Sequence, residues 1–217
     1  ADNISGSFKA GILGIYGQNG SGKTAIIDAL YFLQQIMIGN ELDPEIVDYI
    51  DSELDQAEIT AEFIISGENV LYEVGYHVQF IKMDSKVCIN REFLNCAINQ
   101  NGNRSNKNIF MDYQRSATDS IFKPQKRLDE LVSQDKNLLM DLIVARKMAE
   151  KSNCSYIFGE SSRDIFCHSY TPPFESYSFV INALFRFALR DLFVIRNTHS
   201  GMITANFVLP MAFRIEK

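Results

Sequence analysis

The chain has 217 residues, and at about 150 residues per domain this length suits one large domain or one domain with an appendage. Hydrophobic residues make up 46% and charged residues 22%, which excludes a disordered, collagen-like or coiled-coil chain. The formal net charge of −6 provides no global basic field that would attract nucleic acid or anionic lipid to the whole chain.

The cysteines and the apolar stretches indicate a cytoplasmic protein without a membrane span. There are four cysteines, and none lies in a C-x-x-C pair, so we expect reduced thiols and no cysteine zinc site. The longest apolar stretch, residues 177–195, contains Arg186, Arg190 and Asp191, which a membrane-spanning helix would not tolerate. The first residues, Ala1-Asp2-Asn3, suggest a trimmed start.

The N-terminal part of the chain predicts a strand, a glycine-rich turn and a helix. The apolar run 12–16 fits a buried strand, and the turn occupies residues 17–22. Residues 23–37 carry apolar side chains at helical spacing, and Gly39-Asn40 should end the helix. Residues 41–58 then contain eight acidic residues and no basic one, which predicts a solvated, partly helical connector.

A β-rich region follows. We expect strands at 59–66, 72–80, 87–98 and 108–113, with a turn at 66–69 and a polar loop at 99–106. In the second strand Val74, Tyr76 and Val78 alternate with polar residues, which predicts one buried face and one solvated face. His77 lies on the polar face, where we expect it to be exposed.

The last third of the chain is predicted to be mainly helical. Ser133 is a plausible N-cap for a helix over 134–152, and Pro172-Pro173 precede a second apolar helix over 174–195. A final strand is expected at 203–209.

One motif carries specific chemistry. Residues 17–24 fit G-x-x-x-x-G-K-[ST], the phosphate-binding loop. Its glycines allow backbone N–H groups to surround an anion, and the following helix directs its positive end at the same anion. In this motif Lys23 would contact the β- and γ-phosphates, and the Thr24 hydroxyl would bind Mg²⁺.

The loop and its flanks resemble a known family. The sequence G-Q-N-G-S-G-K-T at 17–24, followed by the Asp28-Ala29 step, is similar to the ABC-type ATPase heads of SMC, RecF and double-strand-break-repair proteins. Residues 7–16 and 209–214 also resemble bacterial ATPases related to the overcoming-lysogenization-defect proteins, many of them linked to phage defence. The resemblance implies an α/β P-loop NTPase fold, with an antiparallel β subdomain and a helical insertion.

The resemblance also implies a set of site residues. ATP and Mg²⁺ would be bound by six of them: Asn19, Gly20, Ser21, Gly22, Lys23 and Thr24. Heads of this family use a glutamine at a strand end to sense Mg²⁺ and the attacking water. Gln114 and Gln125 are the two candidates, although an ordinary surface glutamine is the simpler interpretation of each.

Two parts that hydrolysis requires are not found in the sequence. No segment has four apolar residues followed by Asp-Glu, since Ile109-Phe110-Met111-Asp112 and Leu138-Leu139-Met140-Asp141 both fit ordinary structural elements better. No L-S-G-G-type signature is found. We therefore interpret the chain as an N-terminal lobe (1–130), a helical insertion or dimerisation segment (131–200) and a strand (201–217) leading to a C-terminal lobe.

The function implied is ATP-driven dimerisation of two heads, for phage defence or DNA processing. This chain alone would be largely inactive as an ATPase. A homodimer is expected, and a nucleic-acid partner is compatible with the scattered basic residues without being indicated by them.

Two alternatives stay open. One is a self-contained kinase with Asp112 as Mg²⁺ ligand and a basic lid (Arg115, Lys123, Lys126 and Arg127), and the other is a module that binds ATP only for stability.

Overall fold

The structure is a computed structural model that describes residues 16, 18, 22–50, 53–84, 86–117, 129, 133, 135, 137–168, 174–197 and 203–205. Its helices are α1 (Lys23–Met37), α2 (Leu138–Ser152), α3 (Glu160–His168) and α4 (Phe174–Arg186), which continues into a π-helix at Phe187–Asp191. Its strands are β1 (Gln56–Ser66), β2 (Val70–Met83), β3 (Lys86–Gln100), β4 (Asn103–Arg104), β5 (Asn108–Gln114), β6 (Ile195–Asn197) and β7 (Ile203–Ala205).

The first helix has the predicted bounds. Its second half buries Phe32, Leu33 and Ile36 in the core, because these residues recur on one face at helical spacing. The helix ends at Met37, and Gly39 follows the C-cap residue Ile38 with a φ of 79°, in the left-handed region that favours glycine. A Cβ on Gly39 would also lie 2.5 Å from the carbonyl oxygen of Phe158, so the end of α1 packs directly on the backbone after α2.

The acidic connector contains a short 3-10 helix, Pro44–Tyr49, and this confirms its partly helical character. Asp43 caps this helix by accepting a hydrogen bond from the backbone N–H of Glu45. Within the described residues no group of three or more His, Cys, Asp or Glu side chains is placed to hold a metal ion.

The β-rich region forms one five-stranded antiparallel sheet. The order is β1-β2-β3-β4, and β5 pairs with β3 beyond the short β4. This confirms the antiparallel β subdomain, with each predicted strand extended by one to five residues at its ends. The predicted turn closes the first hairpin, where the N–H of Gly67 donates to the carbonyl oxygen of Val70.

The alternation of β2 separates its two faces as predicted. Val74, Tyr76, Val78 and Phe80 are buried in the core. His77 is not simply exposed, which corrects the expectation: its side chain is 17% exposed, its ring stacks on Phe93 at 4.7 Å, and its Nδ1 lies 2.9 Å from Thr60 Oγ1. Cross-strand neighbours cover it, since Thr60 and Phe93 are directly opposite His77 in the sheet.

The helical region differs from expectation at three points. Ser133 is itself helical, and α2 begins at Leu138 after Asn137, so Ser133 is not its N-cap. The helix over 174–195 ends earlier, at Asp191, and Gln34 Nε2 donates hydrogen bonds to the carbonyl oxygens of Ala188 (3.0 Å) and Leu192 at this end. Helix α3 was not predicted at all. The final strand is described only over Ile203–Ala205, and the rest of 203–209 lies outside the described residues.

A buried carboxylate joins the helical region to the sheet. Glu92 of β3 accepts hydrogen bonds from the hydroxyl groups of Tyr76 (2.6 Å) and Ser155 (2.7 Å). It also accepts one from the backbone N–H of Tyr156, at 2.7 Å. Desolvation by burial raises the pKa of Glu92, and these hydrogen bonds counteract the rise. The turn after α2 is therefore held on the sheet by a group that is fully buried and fully bonded.

In the part of the chain that the structure describes, no helix has the length and apolar character needed to cross a membrane.

Candidate nucleotide-binding site

The predicted phosphate-binding loop leads directly into α1. The structure describes Gln18, Gly22, Lys23 and Thr24 of this loop, and Asn19, Gly20 and Ser21 lie outside the described residues. Gly22 precedes the first residue of the helix, with Lys23 and Thr24 in its first turn. The order of turn and helix is the one that the motif requires.

The backbone at Gly22 shows why this position is glycine. Its φ of 81° is left-handed, and a Cβ added there would meet nothing within 4 Å, so conformation and not space selects glycine. No side chain caps the helix at this end, and its first turn contains no acidic residue. The first N–H groups of α1 therefore remain suited to an anion, which the positive end of the helix dipole also favours.

Lys23 lies over the loop that precedes it. Its Nζ donates a hydrogen bond to the carbonyl oxygen of Gln18 at 2.7 Å. This contact holds the ammonium group on the loop side of the helix, where a phosphate bound by the loop would lie. The Thr24 side chain is exposed at the same end of the helix. The positions of both residues fit a nucleotide phosphate and a Mg²⁺ ion bound by a hydroxyl group, without a cluster of carboxylates.

The first half of α1 has an unusual distribution of side chains. Asp28 is buried with 3% exposure, whereas Ile26, Ile27 and Leu30 are 46%, 40% and 40% exposed. The sequence predicted that these apolar residues would share the buried face with Leu33 and Ile36. Only the second half of α1 packs against the core among the described residues. The half next to the loop therefore exposes an apolar surface formed by Ile26, Ile27 and Leu30.

Of the two candidate glutamines, only Gln114 can be assessed. It is the exposed last residue of β5, opposite Arg91 of β3, while Gln125 lies outside the described residues. The position at the end of a strand agrees with the expectation for Gln114. The described residues do not establish that its side chain reaches the phosphate-binding loop, so its role stays a prediction.

The backbone at Gln114 is held by a residue that sequence reasoning did not single out. Arg146 of α2 donates from Nη2 to the carbonyl oxygens of Gln114 (2.5 Å) and Arg115 (3.1 Å). Its Nε donates to Glu150 Oε1 at 3.1 Å, and its guanidinium lies 5.3 Å from the centre of the Tyr113 ring. In the sequence, only the spacing of Arg146 and Glu150 by four residues indicates any of these contacts, because residues four apart lie on the same face of a helix.

Asp112 is engaged in an ion pair. Arg91 donates to both of its carboxylate oxygens, from Nε at 3.0 Å and from Nη2 at 2.9 Å. Such a bidentate pair is among the stronger charge-assisted contacts, and it occupies the oxygens that Mg²⁺ would need. This contact therefore argues against Asp112 as the Mg²⁺ ligand of a kinase. Of its lid, Arg115 is also bonded, through Nε to the carbonyl oxygen of Ile89, and Lys123, Lys126 and Arg127 lie outside the described residues.

Comparison with known proteins gives two matches. Residues 12–78 match the family model described as "AAA domain, putative AbiEii toxin, Type IV TA system". The chain is also 24% identical over 178 residues to the DNA double-strand break repair Rad50 ATPase of Thermoplasma acidophilum. That match covers 72% of this chain and 20% of the relative, so the chain spans about a fifth of the relative's length. No solved structure matches the chain.

The two matches agree with the motif and with its place in the fold. The family model begins in the predicted strand before the loop and ends within β2, so it spans the loop, α1 and the first hairpin. Neither match confirms the closer likeness to the overcoming-lysogenization-defect proteins.

Proposed function

We propose, from the premise that the chain is part of an SMC- and RecF-like ATPase head, that it binds ATP with Mg²⁺ at the N-terminal end of α1. The single observation that carries this proposal is the geometry of the loop end. A left-handed Gly22 leads into an uncapped helix, and Lys23 Nζ lies 2.7 Å from the Gln18 carbonyl oxygen. The family motif assigns the phosphates to Asn19, Gly20, Ser21, Gly22, Lys23 and Thr24, and Mg²⁺ to the Thr24 hydroxyl.

Hydrolysis is proposed for the intact protein in the cytoplasm, with ATP held between two heads. The open apolar surface at Ile26, Ile27 and Leu30 supports further structure packing next to the loop. Asp112 is paired with Arg91 and Asp141 is an exposed residue of α2, so neither supplies a Walker B carboxylate. The 217-residue chain by itself should therefore bind ATP and hydrolyse it little.

The biological task that we propose is phage defence or DNA processing. The description of the matched family mentions a toxin of a type IV toxin–antitoxin system, and the name of the relative mentions double-strand break repair. Both descriptions fit a protein that uses ATP, and we propose that ATP drives the dimerisation of two heads.

Isothermal titration calorimetry of the Lys23→Ala variant tests the proposal. We expect Mg²⁺–ATP affinity to fall by roughly a hundredfold or more, which corresponds to at least about 2.7 kcal/mol. The far-UV circular dichroism should be unchanged, because Lys23 is in the first turn of α1 and contributes nothing to the buried core.

The matched control is Lys147→Ala, which removes an equal charge from the exposed side of α2. It should leave ATP affinity unchanged. If Lys23→Ala retains the affinity of the unmodified chain, the assignment of the loop as the nucleotide site is wrong.

A further inference from the structure

The turn that follows α4 has an unusual hydrogen-bond pattern. Residues Phe187–Asp191 form a π-helix, and the N–H of Leu192 donates to the carbonyl oxygen of Phe187, five residues earlier, at 2.9 Å. In an α-helix the same N–H would donate to Ala188, four residues earlier. The π turn therefore contains one residue more than an α-helical turn, and single π turns are frequent at functional positions.

Gln34 of α1 is bonded to the acceptor that an α-helical turn would use. Its side chain is buried, and its Nε2 donates to the carbonyl oxygen of Ala188 at 3.0 Å and also to that of Leu192. An amide group has two N–H donors, and these two bonds use both of them. A side chain of α1 thus contacts the carbonyl group whose hydrogen bond distinguishes the π form of this turn from an α form.

The apolar residues after the turn are compatible with both forms. Val194 is buried with 9% exposure, whereas its neighbour Phe193 is 55% exposed. Closing the turn from π to α removes one residue from the turn, and one residue corresponds to about 100° around a helix. Phe193 would then move towards the place that Val194 now occupies. Because both side chains are apolar, the choice between the two forms depends on the hydrogen bonds of the turn.

Free space lies between the turn and α1. A cavity of about 20 Å³ is lined by Gln34 and Ile38 of α1 and by Leu189 and Leu192 at the turn. This volume suffices for about one water molecule. The turn is therefore not tightly packed against α1 at this point, which leaves room for a change in its form.

We propose that Gln34 locks the turn in its π form, and that the turn closes into an α-helix when Gln34 is withdrawn. In the α form the N–H of Leu192 would donate to Ala188, so an internal bond replaces the one lost from Gln34. The change would rotate the chain that leads into β6, which itself contacts α1. A displacement of α1 relative to the turn would therefore reorient β6. This proposal does not depend on the nucleotide site proposed above.

Nuclear magnetic resonance of the 217-residue chain tests the lock through scalar couplings across hydrogen bonds. In the unmodified chain the ¹⁵N nucleus of Leu192 should couple to the carbonyl carbon of Phe187. Gln34→Leu fills a similar volume and removes both donors. In this variant we expect the coupling to Phe187 to disappear and a coupling to the carbonyl carbon of Ala188 to replace it.

The matched control is Gln35→Leu, which removes the next glutamine of α1. Gln35 is also buried, but its Oε1 accepts a hydrogen bond from Asn40 Nδ2 at 2.7 Å. This variant should keep the coupling of the π form.

Cysteine labelling supplies a second measurement. With Gln34 in place, Phe193→Cys should react with a thiol reagent faster than Val194→Cys, because only position 193 is exposed. In the Gln34→Leu background the order of the two labelling rates should reverse. Peptide mass spectrometry separates these sites from the four native cysteines.

The proposal is overturned if Gln34→Leu keeps the coupling to Phe187 or the original order of labelling rates. It is also overturned if the unmodified chain already shows the coupling to Ala188, or if Gln35→Leu loses the π form. Gln34→Met is a second variant without a donor, and its flexible side chain fills the same space. If both Gln34 variants unfold by far-UV circular dichroism while Gln35→Leu stays folded, the α form is not stable and the proposal is wrong.

Discussion

Polar groups lie in opposite environments at two places in the molecule. One is the N-terminal end of α1, and the other is the junction at which the buried Glu92 of β3 bonds the turn after α2. At the helix end Lys23 and Thr24 stand on an uncapped first turn that remains open to a ligand. At the junction Glu92 is fully buried, and Tyr76, Ser155 and Tyr156 occupy its oxygens. The first turn of α1 has no side-chain cap and is suited to a ligand, whereas polar groups with a complete set of internal partners fix one arrangement of the chain.

The largest effect that we expect comes from removing the junction carboxylate. Glu92→Ala leaves two hydroxyl groups and a backbone N–H buried without their acceptor, so the free energy of unfolding should fall by roughly 3–5 kcal/mol. Urea denaturation followed by circular dichroism measures the change.

The matched control for that experiment is Glu68→Ala, in the turn between β1 and β2, where the side chain is exposed and the stability should be nearly unchanged. If Glu92→Ala is as stable as the unmodified chain, the junction does not hold the helical region on the sheet. The hydrogen bonds of Glu92 would then not fix the arrangement of the chain, and the comparison with the N-terminal end of α1 would no longer hold.

Arg146→Met should have an intermediate effect, because it removes hydrogen bonds from a half-buried group. The carbonyl oxygens of Gln114 and Arg115 lose their charged donor, which should cost about 1–3 kcal/mol. Hydrogen exchange of the amides at 113–117 should accelerate more than exchange in β2.

Lys147→Met, the next residue along α2, serves as the control because its side chain is exposed. Equal protection of 113–117 in both variants would show that Arg146 does not fix the end of β5. If Arg146→Met also changes the Mg²⁺ dependence of ATP binding, the prediction for Gln114 gains support.

The smallest expected effect is a pH dependence specific to the junction. Burial raises the pKa of Glu92 above its ordinary value, so the folded chain holds this proton at a higher pH than the unfolded chain does. The stabilisation linked to protonation is complete below the unfolded pKa and is lost as the pH rises through the folded pKa. The free energy of unfolding, relative to that of Glu92→Gln, should therefore increase as the pH falls from neutral towards the ordinary pKa of a glutamate side chain. A constant difference across this range would contradict the pKa shift.

Local sequence signals predicted much of the fold. The bounds of α1 followed from its apolar periodicity and from Gly39, and the β2 alternation identified its buried face, because both signals depend on neighbours along the chain. Helix α3 escaped prediction because its nine residues include few apolar ones, and a short helix depends on packing more than on its own pattern.

For the candidate site, the motif predicted residues whose ligand stays a prediction. The phosphate-binding motif indicated Gly22, Lys23 and Thr24, since a tight anion-binding turn restricts the residue types at fixed spacing. The contacts of Arg146 could not be predicted, because they join α2 to the end of β5, 31 and 32 residues away in the chain. The ion pair of Asp112 was missed for the same reason, since Arg91 is its neighbour only across the sheet.

The sequence by itself determined the glycine-rich motif at 17–24, the helix that follows it and the alternating strands, because each depends on backbone conformation or periodicity within one short segment. Only the tertiary structure decided that Glu92 is a buried anchor, that Asp112 is paired with Arg91 and that β2 is the neighbour of β1 among the described strands. The physical reason is that burial, ion pairing and strand order depend on residues brought together from distant parts of the chain, which no local pattern records.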